Sequence, residues 1–129
     1  MLEIGDTFLL PKSSEDTEHL WVVLTKPDAK GRPVCANITT AHSYSERTVV
    51  LQAGEHPFIK HESVVMFADA RILDLNVVQK ALDYKQTTYV ASTHKKCSVG
   101  LLKKIQDGLL RSKQASNDVK DFFREMSGD

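Results

Sequence analysis

The chain has 129 residues, 41% of them apolar and 26% charged, with 17 acidic side chains balancing 17 basic ones. That length suits one domain over 1–129 with a real core, while the composition excludes a disordered or collagen-like polymer and the two cysteines exclude a disulfide scaffold. No stretch is long and apolar enough to span a bilayer, and MLEIGDTFLL has no basic segment ahead of a long apolar one, so a cytoplasmic protein with reduced Cys35 and Cys97 is expected.

The first two-thirds reads as strands. EIGDTFLL, LWVVLTK, PVCANITT, TVVLQ and SVVMFADARIL are short runs rich in β-branched and aromatic residues, each bounded by Gly, Pro, Asp or Ser. Between the second and third, PDAKGR sets Pro27, Asp28 and Gly31 where a tight hairpin needs fixed or positive φ, which predicts a hairpin over 20–40. After Asp74 the period changes. DLNVVQKALDY brings Val77, Val78, Ala81 and Leu82 to one side at helical spacing, and SVGLLKKIQDGLLRSK repeats this with Leu102, Ile105 and Leu109 behind Ser98 as N-cap. NDVKDFFREM then aligns Val119, Phe122, Phe123 and Met126 behind Asn117 as cap. Strands followed by helices predict an α+β domain: about five antiparallel strands in residues 3–74 curled into a small barrel, then two or three helices over 75–126 covering one end or one side.

The zero net charge hides an asymmetry. Residues 80–113 carry 8 basic and 2 acidic side chains, a local excess able to hold a polyanion, although Lys and Arg also simply line the wet faces of helices. The densest cluster of proton-handling groups is HPFIKHESVV, residues 56–65. Metal-independent RNA cleavage needs a base for the 2′-OH, an acid for the leaving oxygen and a cation near the phosphate; His56, His61 and Lys60 supply those types. Pro57 makes residues 55–60 a loop, where the three can converge. A structural reading stands beside it: a histidine before proline can bond a backbone carbonyl, and Ser63 can satisfy a strand end. Tyr44, in the loop AHSYSERT with His42 and Arg47, is the exposed base-stacking candidate, and Arg71 can reach a phosphate or pair with Asp69. No His, Cys or carboxylate set has metal-ligand spacing and no glycine-rich phosphate loop is present, so neither metal nor other cofactor is expected.

Gly5-Asp6 opening the first strand, HLWVVL, the NITT ending of the third strand, TVVLQ and SVVMFADARILD form an ordered series that resembles the MazF/PemK family of toxins. The similarity covers roughly residues 3–74 and, more loosely, the helix at 98–113. It implies an SH3-like barrel, a homodimer, a cognate antitoxin that blocks the active groove, and metal-independent cutting of single-stranded RNA. The family places a catalytic Arg-Pro at the start of the second strand and a threonine at the end of the third. Here His19-Leu20 stands at the first position and Thr39 or Thr40 at the second, while Arg32-Pro33 falls in the hairpin. The resemblance thus implies His19 or His56 moving protons, Lys60 or Arg71 stabilising charge, Thr40 positioning the phosphate, and the loop with Tyr44 and Arg47 bordering the RNA. The acidic stretch KSSEDTE, residues 12–18, would repel phosphate if it lay over the groove. A catalytically silent barrel that binds a partner protein or nucleic acid is the alternative reading.

Overall fold

A computed structural model describes residues 2–11, 18–83 and 92–128. All five expected runs enter one sheet: β1 (Thr7–Pro11), β2 (Glu18–Val23), β3 (Val34–Thr40), β4 (Val50–Leu51) and β5 (Ser63–Ile72). Helix α1 (Leu75–Asp83), a further strand β6 (Ser92–His94), α2 (Val99–Arg111) and α3 (Asn117–Met126) follow. The strand order is β4-β5-β3-β2-β1-β6, every neighbouring pair antiparallel. The fold is α+β, as the order of patterns along the chain requires.

Consecutive apolar residues in β2 and β3 mean that both faces of the sheet need cover. Leu20, Val22, Val34, Ala36 and Ile38 lie on one face under Leu101, Ile105 and Leu109 of α2 and Val119 and Phe123 of α3. Their alternates Trp21, Val23 and Cys35 lie on the other with Phe8, under Leu75 and Val78 of α1. The sequence led to the expectation of helices over one end or one side; instead α1 takes the face opposite α2 and α3. Helix α2 approaches closely because Gly108 presents no side chain: a Cβ there would lie 2.2 Å from Val49 Cγ2 and 3.0 Å from Phe67 Cζ.

Serine caps start two helices. The Ser98 hydroxyl accepts from the Leu101 amide at 3.1 Å, and Ser116, one residue before the expected Asn117, accepts from Val119 at 3.2 Å. The hairpin between β2 and β3 turns on Asp28, whose carboxylate accepts from the amides of Lys30 and Arg32, both at 2.9 Å, with Gly31 at φ 76°.

The sheet bends rather than closes. Opposite Ala36, β5 carries four residues, 67–70, between the Cys35↔Arg71 and Asn37↔Met66 pairs, a bulge that interrupts the ladder. Among the described residues no ladder joins β4 to β6, so the barrel expected from the sequence is open at that seam. The two strands that flank the seam are short, with two and three residues. Residues 12–17 of the acidic stretch lie outside the described residues.

Candidate functional site

Antiparallel pairing decides which residues meet. Because Leu20 pairs with Ile38 and Thr40 with Ser63, the start of β2, the end of β3 and the start of β5 arrive at one end of the sheet. The loop 52–62 folds over that end, braced by Gly54 N–H to the Ile59 carbonyl at 3.0 Å and Ile59 N–H to the His56 carbonyl at 2.9 Å. Between them lies a cleft of about 210 Å³ lined by His19, Thr39, Thr40, Lys60, His61 and Ser63, with Ile38, Phe58 and Ile59 as its apolar wall. Five sequence candidates, drawn from three separate segments, thus share one cavity.

Within it, Thr40 Oγ1 and His61 Nε2 are hydrogen-bonded at 2.9 Å on the exposed rim. The backbone holds this pair in place: Ala41 N–H donates to the Glu62 carbonyl at 3.1 Å, and the Ser63 hydroxyl donates to the His61 carbonyl at 3.0 Å. His19 is half-buried and Lys60 exposed. Lys60 forms no ion pair among the described residues, whereas Lys96, Lys103 and Lys104 of the basic segment each stand within 4.0 Å of an acid. The positive excess read in residues 80–113 is therefore partly neutralised locally, and Lys60 lines the cleft with no ion pair among the described residues.

The remaining candidates stand elsewhere. His56 is buried outside the cleft: its Nδ1 accepts from the Phe58 amide at 3.1 Å, so Nε2 carries the proton and donates to the Lys95 carbonyl at 2.5 Å. Burial pushes its pKa below the ordinary imidazole value, the bond to Lys95 pulls the other way, and the charges of His94 and Lys95 lower it further. A ring with both nitrogens held by backbone has no lone pair for a substrate. Tyr44 is 81% exposed and stacks on His42 at 5.4 Å, in the loop that leaves β3 straight after Thr40. Arg47 is joined to Glu62 at 3.0 Å beside His61. Glu46 ties the same loop to the end of α2 through Thr48 and Ser112, at 2.8 and 2.6 Å. Arg71 pairs with Cys35 near the opposite end of the sheet, its guanidinium 5.5 Å from the Trp21 ring centroid and its Nε donating to the Asp69 carbonyl at 3.1 Å. Arg32, likewise at the far end, is held by Asp28 at 2.9 Å.

Sequence reasoning passed over the apolar wall. Ile38, Phe58 and Ile59 make the cleft a slot rather than a polar rim, and the signal was the insertion of Phe58-Ile59 between polar residues in HPFIKH. Among the described residues no three His, Cys, Asp or Glu side chains converge to hold a metal ion, and no helix is long and apolar enough to cross a membrane. No family model matches the chain, and comparison with curated proteins finds no match.

Proposed function

We propose that the chain is a metal-independent endoribonuclease of the MazF/PemK type, acting on single-stranded RNA in the cleft between β2, β3 and the 52–62 loop. The observation that carries this is the convergence of His19, Thr39, Thr40, Lys60 and His61 on one cavity, two imidazoles and an ammonium group being the minimal set for transesterification at phosphorus. One imidazole takes the proton of the ribose 2′-OH as its oxygen attacks the adjacent phosphorus. The P–O5′ bond breaks and the other imidazole gives a proton to the departing 5′ oxygen, leaving a 2′,3′-cyclic phosphate and a 5′ hydroxyl. Lys60 balances charge on the phosphoryl oxygens, and the Thr40 hydroxyl sets the orientation of His61 through their 2.9 Å bond. Tyr44 offers an exposed ring on which a neighbouring base stacks.

In this reading His19 serves where the resemblance has an arginine, because Arg32 is committed to the hairpin at the far end of the sheet. The open sheet is then a splayed SH3-like barrel, acting in the cytoplasm as a homodimer restrained by a cognate antitoxin over the cleft. A second reading is favoured by one observation: with Arg47 bound to Glu62 and Arg71 lying over Trp21, Lys60 is the one lysine or arginine lining the cleft among the described residues, which suits a module that holds a nucleic acid or partner protein without cutting it.

Assay of the purified chain on single-stranded RNA with chelator present separates the two. Cleavage that persists in chelator and drops roughly 100-fold or more in His61→Ala and in Lys60→Ala supports the enzyme. Retention of RNA without cleavage supports the binding module, and full activity in both variants removes the cleft from the chemistry.

A further inference from the structure

The open seam of the sheet is spanned by a side chain. Edge strand β4 runs into the 52–62 loop, and edge strand β6 runs into Lys95; among the described residues the His56 ring makes a hydrogen bond from that loop to Lys95. The Lys95 peptide is gripped on every side. Its carbonyl accepts from His56 Nε2 at 2.5 Å and from the Thr7 hydroxyl at 2.8 Å, and its N–H donates to His94 Nδ1 at 2.8 Å. The His56 and His94 ring centroids lie 5.1 Å apart, and Phe58 meets His94 edge-on at 5.8 Å. Four and five residues beyond His56 on the same loop are Lys60 and His61, two of the groups that line the cleft.

We infer that His56 is the positioning residue of the site: its neutral ring bolts the 52–62 loop to the β1–β6 edge, and acid withdraws the bolt and lets Lys60 and His61 leave the cleft. The bolt itself stands on the contacts above; its meaning for catalysis rests on the function proposed in the preceding subsection. Only the neutral Nε2–H form makes both bonds. A proton added at Nδ1 turns an acceptor into a donor facing the Phe58 N–H, so one bond becomes a donor–donor clash. It also places charge beside His94 and Lys95, which face the ring from the β6 side and are themselves cations when protonated. On the loop itself Glu55 is already engaged by Lys104 at 3.2 Å and by the Gln52 amide at 2.6 Å, and from the β1 side Asp6 faces Lys96 at 3.7 Å. Burial of the ring adds to the same direction. A histidine whose folded pKa lies below the unfolded value stabilises the closed form at pH above roughly 6.5, and that contribution drains away as the pH falls below it.

Amide hydrogen exchange, corrected for intrinsic rates, reads this without reference to cleavage. Between about pH 7.5 and about pH 5 the loop amides of residues 58–61 and those of 95–97 should open roughly tenfold more often, while α2 amides keep their protection. His56→Gln keeps a donor for Lys95 but does not titrate, so its loop exchange should be independent of pH; His56→Asn keeps the acceptor for Phe58 and loses the bridge, so its loop should be open at both pH values. His94→Asn should respond to acid as the parent does. Loop exchange that does not change with pH in the parent, that changes equally in His56→Gln, or that changes only together with α2 overturns the inference. Run beside the RNA assay, the measurement keeps the two claims apart: a pH-dependent loop in a chain that never cuts RNA retains the bolt and discards the nuclease, and a cutting enzyme with a pH-insensitive loop does the reverse.

Discussion

Replacing Gly108 by alanine should destabilise the protein even though alanine is the better helix former. An alanine Cβ would lie 2.2 Å from Val49 Cγ2, 3.0 Å from Phe67 Cζ and 3.3 Å from Phe67 Cε2, against an ordinary carbon–carbon separation of about 3.5–4.0 Å. Relief needs a displacement of more than about 1 Å, and neither neighbour can supply it cheaply: Val49 is β-branched and 2% exposed, Phe67 fully buried. Overpacking of this kind costs about 1–3 kcal/mol, the 2.2 Å approach placing it towards the upper end, and the propensity gain of glycine to alanine returns about 1 kcal/mol, so a net loss of up to about 2 kcal/mol is expected. Gly100, on the exposed first turn of the same helix with nothing within 4 Å of its missing Cβ, provides the control. Gly100→Ala should gain about 0.5 kcal/mol. Urea denaturation reads both from the midpoint at constant slope. Adding Val49→Ala to Gly108→Ala should recover part of the loss, so the pair couples favourably. If Gly108→Ala is as stable as Gly100→Ala, α2 does not sit where the clash places it, and the anchoring of the segment before β4 has to be reconsidered.

Asn37 is fully buried with neither amide atom bonded among the described residues, so Asn37→Val in the centre of β3 should raise stability by about 1–2 kcal/mol and the thermal midpoint by several degrees; a lower midpoint would show that the amide has a partner such as a bound water. Burial raises the Cys97 thiol to about 11 and drives Cys35 higher still, so a thiol reagent at about pH 8 should leave both largely unmodified in the folded protein and label both in urea; rapid native labelling of Cys97 would contradict the packing ahead of α2. Thr40→Val removes the hydroxyl bonded to His61 on an exposed rim, and should lower RNA cleavage about tenfold or more with under about 1 kcal/mol change in stability; unchanged cleavage would show that the bond plays no part in orienting His61.

Much of the architecture was legible because it is written in local pattern. The five β-branched runs, the Asp28–Gly31 turn and the Ser98 cap need only residues near one another in the chain, and each appears where the pattern places it. β6 was not legible: Ser-Thr-His has neither length nor an apolar alternation, and exists by pairing with β1 more than eighty residues earlier. Closure failed for a related reason, since nothing in TVVLQ announces that two of its residues alone would pair. At the site, His19, Thr40 and His61 come together because antiparallel register brings strand ends together, which a series of strands already implies. The role of His56 depends instead on a carbonyl 39 residues away, and no reading of HPFIKH alone could choose between a proton carrier and a strut. The bulge in β5, which sets Arg71 opposite Cys35, has no sequence mark either.

Incubating the purified chain, in excess chelator, with a single-stranded RNA and with the DNA of the same sequence tests the central claim most directly. The cleft chemistry predicts that the RNA alone is cut and that its fragments end in 2′,3′-cyclic phosphate and 5′ hydroxyl. Intact RNA, equal cutting of the DNA, or fragments with 5′ phosphate would contradict it.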